Sequence, residues 1–157
     1  MRLKQYTVKK DLTSGIPYLS ELSEVKLPAA KRCMYTCEDV VSLLIEYYGV
    51  NELVEEECFL VCVDVNLKAI GVCVVSHGSI NATIVSPREV YQRALLIGAT
   101  GIFVVHNHPS GRTVPSEEDR IVTEKLQSAG EVVGIRLIDH VIIGDYFYSF
   151  HKEGFLK

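Results

Sequence analysis

The sequence predicts an α/β fold with three layers, α-β-α, in which helices cover both faces of a mixed β-sheet. Apolar residues at helical spacing alternate with short β-branched runs in the middle of the chain, which favours strands joined by helical crossovers. Paired strand-like runs on either side of that stretch favour antiparallel hairpins. Both kinds of connection in one sheet predict mixed pairing, in the order helix, two strands, helix, strand, helix, two strands.

The first helix is expected to begin after Thr36, which with Asp39 has the spacing of a capping box, and to stop at Gly49. Two β-branched, apolar runs follow at 58–64 and 68–76. The short polar turn between them predicts an antiparallel hairpin. Because both runs are apolar along most of their length, this hairpin is expected to be buried on both faces.

A second helix is expected after Ser86, because Pro87 suits the first helical position and helical spacing continues to Gly98. The apolar run 101–105 then predicts a buried strand. A third helix is expected from residue 117 to about residue 128, ending near a glycine at position 130. Two final strands, joined by a tight turn that contains glycine, are expected at 136–143 and 146–150.

The composition is that of one globular domain. The 157 residues are 48% hydrophobic and 23% charged, and no apolar stretch is long enough for a membrane helix or a signal peptide. A cytoplasmic protein is therefore expected. Residues 36–157 are expected to form the domain, and residues 1–35 an irregular N-terminal arm that can add an edge strand near Tyr6.

The cysteines form an odd-numbered set. The chain has five of them, with no Cys-x-x-Cys pair, and three lie in strand-like apolar runs. Buried free thiols are therefore expected. Cys33 and Cys37 can in principle share a metal ion, but no second pair completes a set of four ligands.

The segment after the strand 101–105 contains candidate metal ligands. His106 and His108 stand two residues apart, so both rings project from one face if the strand continues. Asp119 lies eleven residues after His108, beyond a loop rich in Pro, Gly and Ser that can fold back and supply a third ligand. Three protein ligands leave one position of a tetrahedral zinc ion open, which is typical of catalytic rather than structural zinc.

The same carboxylate has a second interpretation. Ser116 and Asp119 also have the spacing of a capping box at the start of the third helix, which would make Asp119 only a helix-end carboxylate. From the residues alone, both interpretations stay open.

This array resembles the JAMM motif of the JAB/MPN metallopeptidases, His-x-His-Pro, six residues, Ser-x-x-Asp, with a glutamate upstream. Four separate blocks resemble the RadC branch of that family more narrowly. They are 76–81 (SHGSIN), 87–89 (PRE), 106–111 (HNHPSG) and 139–144 (DHVIIG). The resemblance runs from about residue 37 to the C-terminus and implies a JAB/MPN-like fold, with its cytidine-deaminase-like architecture.

The resemblance also implies an activity. A JAMM-type hydrolase cleaves a peptide or isopeptide bond with water activated by one zinc ion, which His106, His108 and Asp119 would hold here. Ser116 would both cap its helix and stabilise the oxyanion that develops on the carbonyl. The expected partner is a peptide or protein substrate, whose identity the sequence does not specify.

JAMM proteins take their general base from a glutamate between the first helix and the first core strand. This chain has four glutamates there: Glu52, Glu55, Glu56 and Glu57. Counting back from Asp64 against the RadC pattern selects Glu56, with Glu55 and Glu57 as the next choices. Any single member of such a cluster can also be a solvated charge at a strand end.

Further residues match the family with less defined roles. Asp139 and His140 can support a ligand through a hydrogen bond, and Asn81 can line the groove. Two alternatives to a metallopeptidase remain open: a RadC-type factor associated with DNA repair that binds DNA or a repair partner, and a non-catalytic interaction module that binds metal. The basic N-terminus favours DNA binding. A net charge of −4, and the lack of room for a helix-hairpin-helix segment in the first 35 residues, count against it.

Overall fold

The computed structural model describes residues 2–78 and 85–156 of the chain. Its elements follow the expected order, with one additional hairpin ahead of the first helix. In chain order they are β1 (Arg2–Lys10), β2 (Pro17–Lys26), α1 (Cys37–Tyr48), β3 (Glu57–Val63), β4 (Ala69–His77), α2 (Pro87–Ile97), β5 (Gly101–Asn107), α3 (Glu117–Val133), β6 (Arg136–Ile143) and β7 (Phe147–Ser149). Short 3-10 turns lie at Ala29–Lys31 and Val50–Glu52.

In the described part of the chain, seven strands form one mixed sheet in the order β2-β1-β4-β3-β5-β6-β7. β1 is parallel to β4 and β5 is parallel to β6, whereas the other neighbouring pairs are antiparallel. β3 and β5 therefore lie in the interior of the sheet, and they are almost continuously apolar because helices cover both of their faces. The expected α/β fold with a mixed sheet is confirmed.

Two hydrophobic clusters, one on each face of the sheet, define the layers. α1 packs Leu43 and Leu44 against Phe59 and Phe103 of the sheet. The opposite face is covered by α2 and α3, which contribute Val90, Tyr91, Ala94, Val122 and Leu126. The three-layer α-β-α arrangement is therefore confirmed.

Residues close in sequence cap the first two helices. Thr36 Oγ1 accepts a hydrogen bond from the Asp39 amide, and the Asp39 carboxylate accepts one from the Thr36 amide, so the predicted capping box forms. α1 ends at Gly49, whose φ of +61° is left-handed and costs glycine little. Ser86 Oγ caps α2 by accepting from the Glu89 amide.

The third helix is longer than predicted. α3 continues past Gly130 and ends at Gly134, which adopts the left-handed conformation of a helix cap. Gly130 lies inside the helix, and a Cβ atom there would be 2.5 Å from both the Ile135 carbonyl oxygen and the Tyr91 hydroxyl. This glycine permits a close contact between α2 and α3 and does not end the helix. Among the described residues, no helix is long and apolar enough to cross a membrane.

Residues 2–26 do not form the predicted irregular arm. β1 and β2 form a hairpin, and β1 pairs in parallel with β4 at Tyr6. The expected strand near Tyr6 is therefore present, but the edge of the sheet is β2. At the turn, Asp11 Oδ1 accepts a hydrogen bond of 2.6 Å from the Ser14 amide. The strand pattern is weak in this segment because most side chains of the hairpin are at least partly exposed and many are charged.

All five cysteines are free thiols, and four of them are buried. Burial raises the pKa of Cys58 to about 12 and that of Cys73 to about 11. Among the described residues, no cysteine belongs to a group of potential metal ligands. The prediction of buried free thiols is confirmed except at Cys33, which is half-buried.

Candidate metal centre

The two imidazoles of the motif lie at the carboxyl end of β5. The strand extends two residues beyond its predicted end, because His106 still pairs with β3 on one side and β6 on the other. The His108 amide then donates to the Ile143 carbonyl at 2.7 Å, which keeps the chain extended for one more residue. The two rings consequently share a face of the sheet, with His106 Nε2 and His108 Nε2 3.1 Å apart.

The first turn of α3 places a carboxylate beside this pair. Asp119 Oδ1 lies 3.2 Å from His106 Nε2, and Oδ2 lies 4.0 Å from His108 Nε2. Asp119 Oδ2 also accepts hydrogen bonds from the Ser116 amide at 2.7 Å and the Ser116 hydroxyl at 2.6 Å. The Asp119 amide donates back to Ser116 Oγ at 3.1 Å, which completes a capping box. Asp119 therefore both caps the helix and faces the histidines.

The Asp119 carboxylate is held in its ionised form. Burial alone would raise its pKa, since desolvation disfavours a charge. The two hydrogen bonds from Ser116, and the positive charge of His106 when its ring is protonated, outweigh burial and hold the pKa of Asp119 well below its usual range. The centre thus contains a buried anion whose oxygens accept hydrogen bonds or a cation.

One of the four glutamates within residues 52–57, Glu56, also lies beside the histidines. Glu56 Oε1 lies 3.4 Å from His108 Nε2, and its side chain is 22% exposed. Glu55 is exposed, and Glu57 Oε1 instead lies 3.1 Å from Nδ1 of His77. Of the three glutamates considered for the base, Glu56 is therefore the one placed beside the histidines.

Asn107 positions the backbone around Glu56. Its side chain points away from the two imidazoles, because neighbouring residues of a strand face opposite sides. Asn107 Oδ1 accepts from the Glu57 amide at 2.8 Å, and Asn107 Nδ2 donates to the Glu55 carbonyl at 3.0 Å. These two bonds hold the chain on both sides of Glu56. In the sequence, only the position of Asn107 between the two candidate ligands His106 and His108 points to this role.

The donor atoms suit a divalent metal. One donor atom each of Glu56, His106 and His108 lies within 4.8 Å of the other two, and Asp119 adds a further oxygen near both histidines. His108 Nδ1 lies 2.7 Å from the Arg112 carbonyl oxygen, which can only accept, so the proton of a neutral ring is on Nδ1. His108 Nε2 then has a free lone pair that faces the other donors. Imidazole nitrogens with carboxylate oxygens are ligands that zinc accepts.

A third histidine, His140, lies behind His106. His106 Nδ1 is 2.9 Å from Nε2 of His140, whose Nδ1 is 2.6 Å from Thr123 Oγ1. Burial holds the pKa of His140 well below its usual value, so this ring is neutral. Thr123 is absent from the residues that the sequence suggests. The sequence indicates this residue only by its position, one helical turn after Asp119 on α3.

The remaining candidates are not brought into this group. Asp139 lies on the other side of β6, where it accepts hydrogen bonds from the Ser149 hydroxyl at 2.5 Å and the His151 amide at 2.9 Å. Burial raises its pKa. Of the Asp139 and His140 pair, only His140 therefore contacts a histidine of the centre. Asn81 lies outside the described residues.

The chain is similar to one family along most of its length. A family model described as RadC-like JAB domain matches residues 34–155. A UPF0758 protein of Thermotoga maritima is 36% identical over 155 residues, which cover 97% of this chain and 65% of the relative. A UPF0758 protein of Methanococcoides burtonii is 42% identical over 148 residues, which cover 92% of this chain and 64% of the relative. The chain spans just under two thirds of the length of these two relatives.

Proposed function

This chain belongs to the RadC-like JAB domain family, and we propose that it is a zinc-dependent hydrolase that cleaves a peptide or isopeptide bond. The observation that carries the proposal is the meeting of two imidazole nitrogens and two carboxylates at the end of β5. A site of this composition, partly open on the side of Glu56 and His108, suits a metal that also contacts solvent and substrate.

We assign the metal to His106, His108 and Asp119. Asp119 is the preferred carboxylate because it is buried, ionised and held by the cap of α3, so its Oδ1 is fixed toward the histidines. Zinc bound there would supply Lewis acidity, which polarises a carbonyl and makes water more acidic. Both histidines are held by hydrogen bonds at Nδ1, as ligands usually are.

Glu56 is the proposed general base. Its carboxylate lies at the solvent side of the centre, where it can accept a proton from the attacking water and return it to the leaving amine. The hydrogen bonds of Asn107 on either side fix the backbone from which Glu56 projects. Proton transfer needs a carboxylate that is placed accurately and is not consumed as a metal ligand, and this division of roles fits Asp119 as ligand and Glu56 as base.

Ser116 is the proposed donor to the oxyanion. Its hydroxyl donates to Asp119 Oδ2 and accepts from the Asp119 amide. To serve the oxyanion, the hydroxyl proton has to turn away from Asp119. The bond from the Ser116 amide to Asp119 Oδ2 can remain during this change, so the cap need not open.

Metal analysis of protein purified without added metal tests the proposal first. We expect about one zinc ion per chain, and its loss in His108→Ala. His77→Ala is the matched control, because His77 is an exposed histidine that contacts Glu57. A wild-type chain that takes up no zinc even when zinc is supplied would overturn the proposal. A zinc-loaded chain is then assayed on peptide and isopeptide substrates, where chelation should abolish hydrolysis.

A further inference from the structure

A chain of buried hydrogen bonds connects the side chain of one proposed ligand, His106, with the backbone of another, Asp119. It runs from His106 Nδ1 to His140 Nε2 at 2.9 Å and from His140 Nδ1 to Thr123 Oγ1 at 2.6 Å. Thr123 Oγ1 then donates to the Asp119 carbonyl oxygen, also at 2.6 Å. His106, His140, Thr123 and Asp119 are all at most 3% exposed, so water does not compete for these bonds.

The single proton of the threonine hydroxyl sets the direction of the whole chain of hydrogen bonds. The Asp119 carbonyl oxygen can only accept, so the Thr123 proton must lie between these two oxygens. If it pointed at His140 instead, two acceptor oxygens would face each other at 2.6 Å in the protein interior, which is costly. Thr123 Oγ1 therefore has only lone pairs left for His140, and His140 Nδ1 must carry a proton.

The proton on His140 Nδ1 in turn sets the direction of the hydrogen bond between His140 and His106. His140 is fully buried, its ring stacks on Phe150 with centroids 4.8 Å apart, and none of its hydrogen-bond partners among the described residues is acidic. A neutral ring with its proton on Nδ1 has a lone pair on Nε2. That lone pair accepts from His106, so His106 Nδ1 is a donor and His106 Nε2 is free of a proton when the ring is neutral.

We propose that Thr123 and His140 are positioning residues that fix His106 in the tautomer whose Nε2 lone pair faces the metal centre. The Arg112 carbonyl fixes His108 in the same tautomer. The two Nε2 atoms are then 3.1 Å apart with no proton to share, and Asp119 Oδ1 lies 3.2 Å from one of them. Such a group of acceptors repels itself unless a cation lies among them, so the chain of hydrogen bonds prepares the centre for a metal ion.

Thr123→Val tests this inference, with Thr123→Ser as the matched control. Valine keeps the shape of threonine and removes the hydroxyl, whereas serine keeps the hydroxyl. We expect zinc affinity, measured by competition with a chromogenic chelator, to fall about 10-fold or more in Thr123→Val. We expect Thr123→Ser to retain the wild-type affinity to within about 3-fold. Equal affinities in all three proteins would overturn the inference.

A second measurement reads the tautomer directly and does not need metal. In zinc-free, ¹⁵N-histidine-labelled wild-type protein at alkaline pH, NMR should show a proton on Nδ1 of both His140 and His106. Thr123→Val should mix the His140 tautomers, and Thr123→Ser should restore the wild-type spectrum. A wild-type proton on His140 Nε2 would contradict the inference.

The inference rests on the proposed function only for the identity of the ion. If the chain binds no zinc, the proposed function fails, but the tautomers in the metal-free protein still decide the role of Thr123 and His140. If zinc binds and the His140 proton is on Nε2, the metal centre stands and the positioning role fails. If Thr123→Val does not fold, the position of the His140 proton in the wild-type spectrum still tests the inference.

Discussion

Asp119 Oδ1 lies 3.2 Å from His106 Nε2, while the other oxygen of the same carboxylate accepts both hydrogen bonds that Ser116 donates. A helix cap and a proposed metal ligand therefore share one side chain. The cap leaves Asp119 few alternative rotamers, so Oδ1 is directed at the histidines before any ion arrives. Hydrogen bonds to a ligating carboxylate are a common way of fixing its orientation. The capping box of α3 is consequently part of the proposed metal centre.

Asp119→Asn separates these two functions. The asparagine carbonyl can still accept from Ser116, and its amide can donate to the lone pair of His106 Nε2. We expect the metal-free Asn variant to unfold at nearly the wild-type urea concentration, but to bind zinc far more weakly. Asp119→Ala should lose zinc as well and cost about 1 kcal/mol more of unfolding free energy, because the cap is also removed. Wild-type zinc affinity in Asp119→Asn would contradict the assignment of this ligand.

Glu56→Gln distinguishes a base from a ligand. Glutamine has nearly the same shape but cannot accept the proton, so kcat should fall by about 100-fold or more while the zinc content stays at the wild-type level. Glu55→Gln is the control, since Glu55 is exposed, and it should leave both quantities unchanged. Loss of zinc from Glu56→Gln would instead make Glu56 a ligand, because one of its oxygens lies within 4.8 Å of both histidine donors.

Asn107→Ala should disturb Glu56 without removing a ligand. The change leaves the Glu57 amide and the Glu55 carbonyl without their side-chain partner. We expect a loss of about 1 to 3 kcal/mol in unfolding free energy and a lower kcat, while zinc affinity changes little. Urea denaturation and steady-state kinetics measure these effects. Asn51→Ala, at an exposed asparagine, is the control. A kcat equal to that of the wild type would show that Asn107 does not position the base.

The sequence predicts the parts of this molecule that depend on neighbours in the chain. Helix starts at Thr36 and Ser86 depend on residues three positions away, and the JAMM spacing brings His108 and Asp119 into one motif. These features could be read from residue type and spacing alone. The family pattern adds Glu56, which no local rule separates from the other glutamates beside it.

The features that the sequence does not predict depend on contacts between distant segments. Thr123 gains its proposed role only because β6 brings His140 next to α3. Asn107 contacts the backbone around Glu56 only because β3 brings Glu57 next to β5. From the sequence, Gly130 is expected to end the helix. In the structure it is a position inside α3 where the hydroxyl of Tyr91 packs closely against the backbone. Tertiary contacts of this kind override local preference and leave little trace in one sequence.

The buried cysteines should be unreactive in the folded protein. Thiolates are the reactive species, and burial raises the pKa of Cys58 and Cys73 to about 12 and about 11, and also raises that of Cys62. We therefore expect a thiol reagent at pH 8 to leave these three thiols unmodified in native protein, whereas all five cysteines react in denaturant. Mass spectrometry of peptides locates the label. Rapid native labelling of Cys58 would show that the sheet beside the metal centre opens readily.

Asp139 should give the protein a distinct dependence of stability on pH. Burial raises its pKa in the folded state above the unfolded value, although the hydroxyl of Ser149 and the amide of His151 partly compensate. An acid with a raised folded pKa contributes stability that is complete below its unfolded pKa of about 4 and is lost as the pH rises through the folded pKa. Asp139→Asn carries no such charge, so this loss should be missing from its urea denaturation curves as the pH rises above about 4. The difference in unfolding free energy between the wild type and Asp139→Asn isolates the effect from all other carboxylates. A difference that stays constant across this range would mean that the pKa of Asp139 is unchanged by folding.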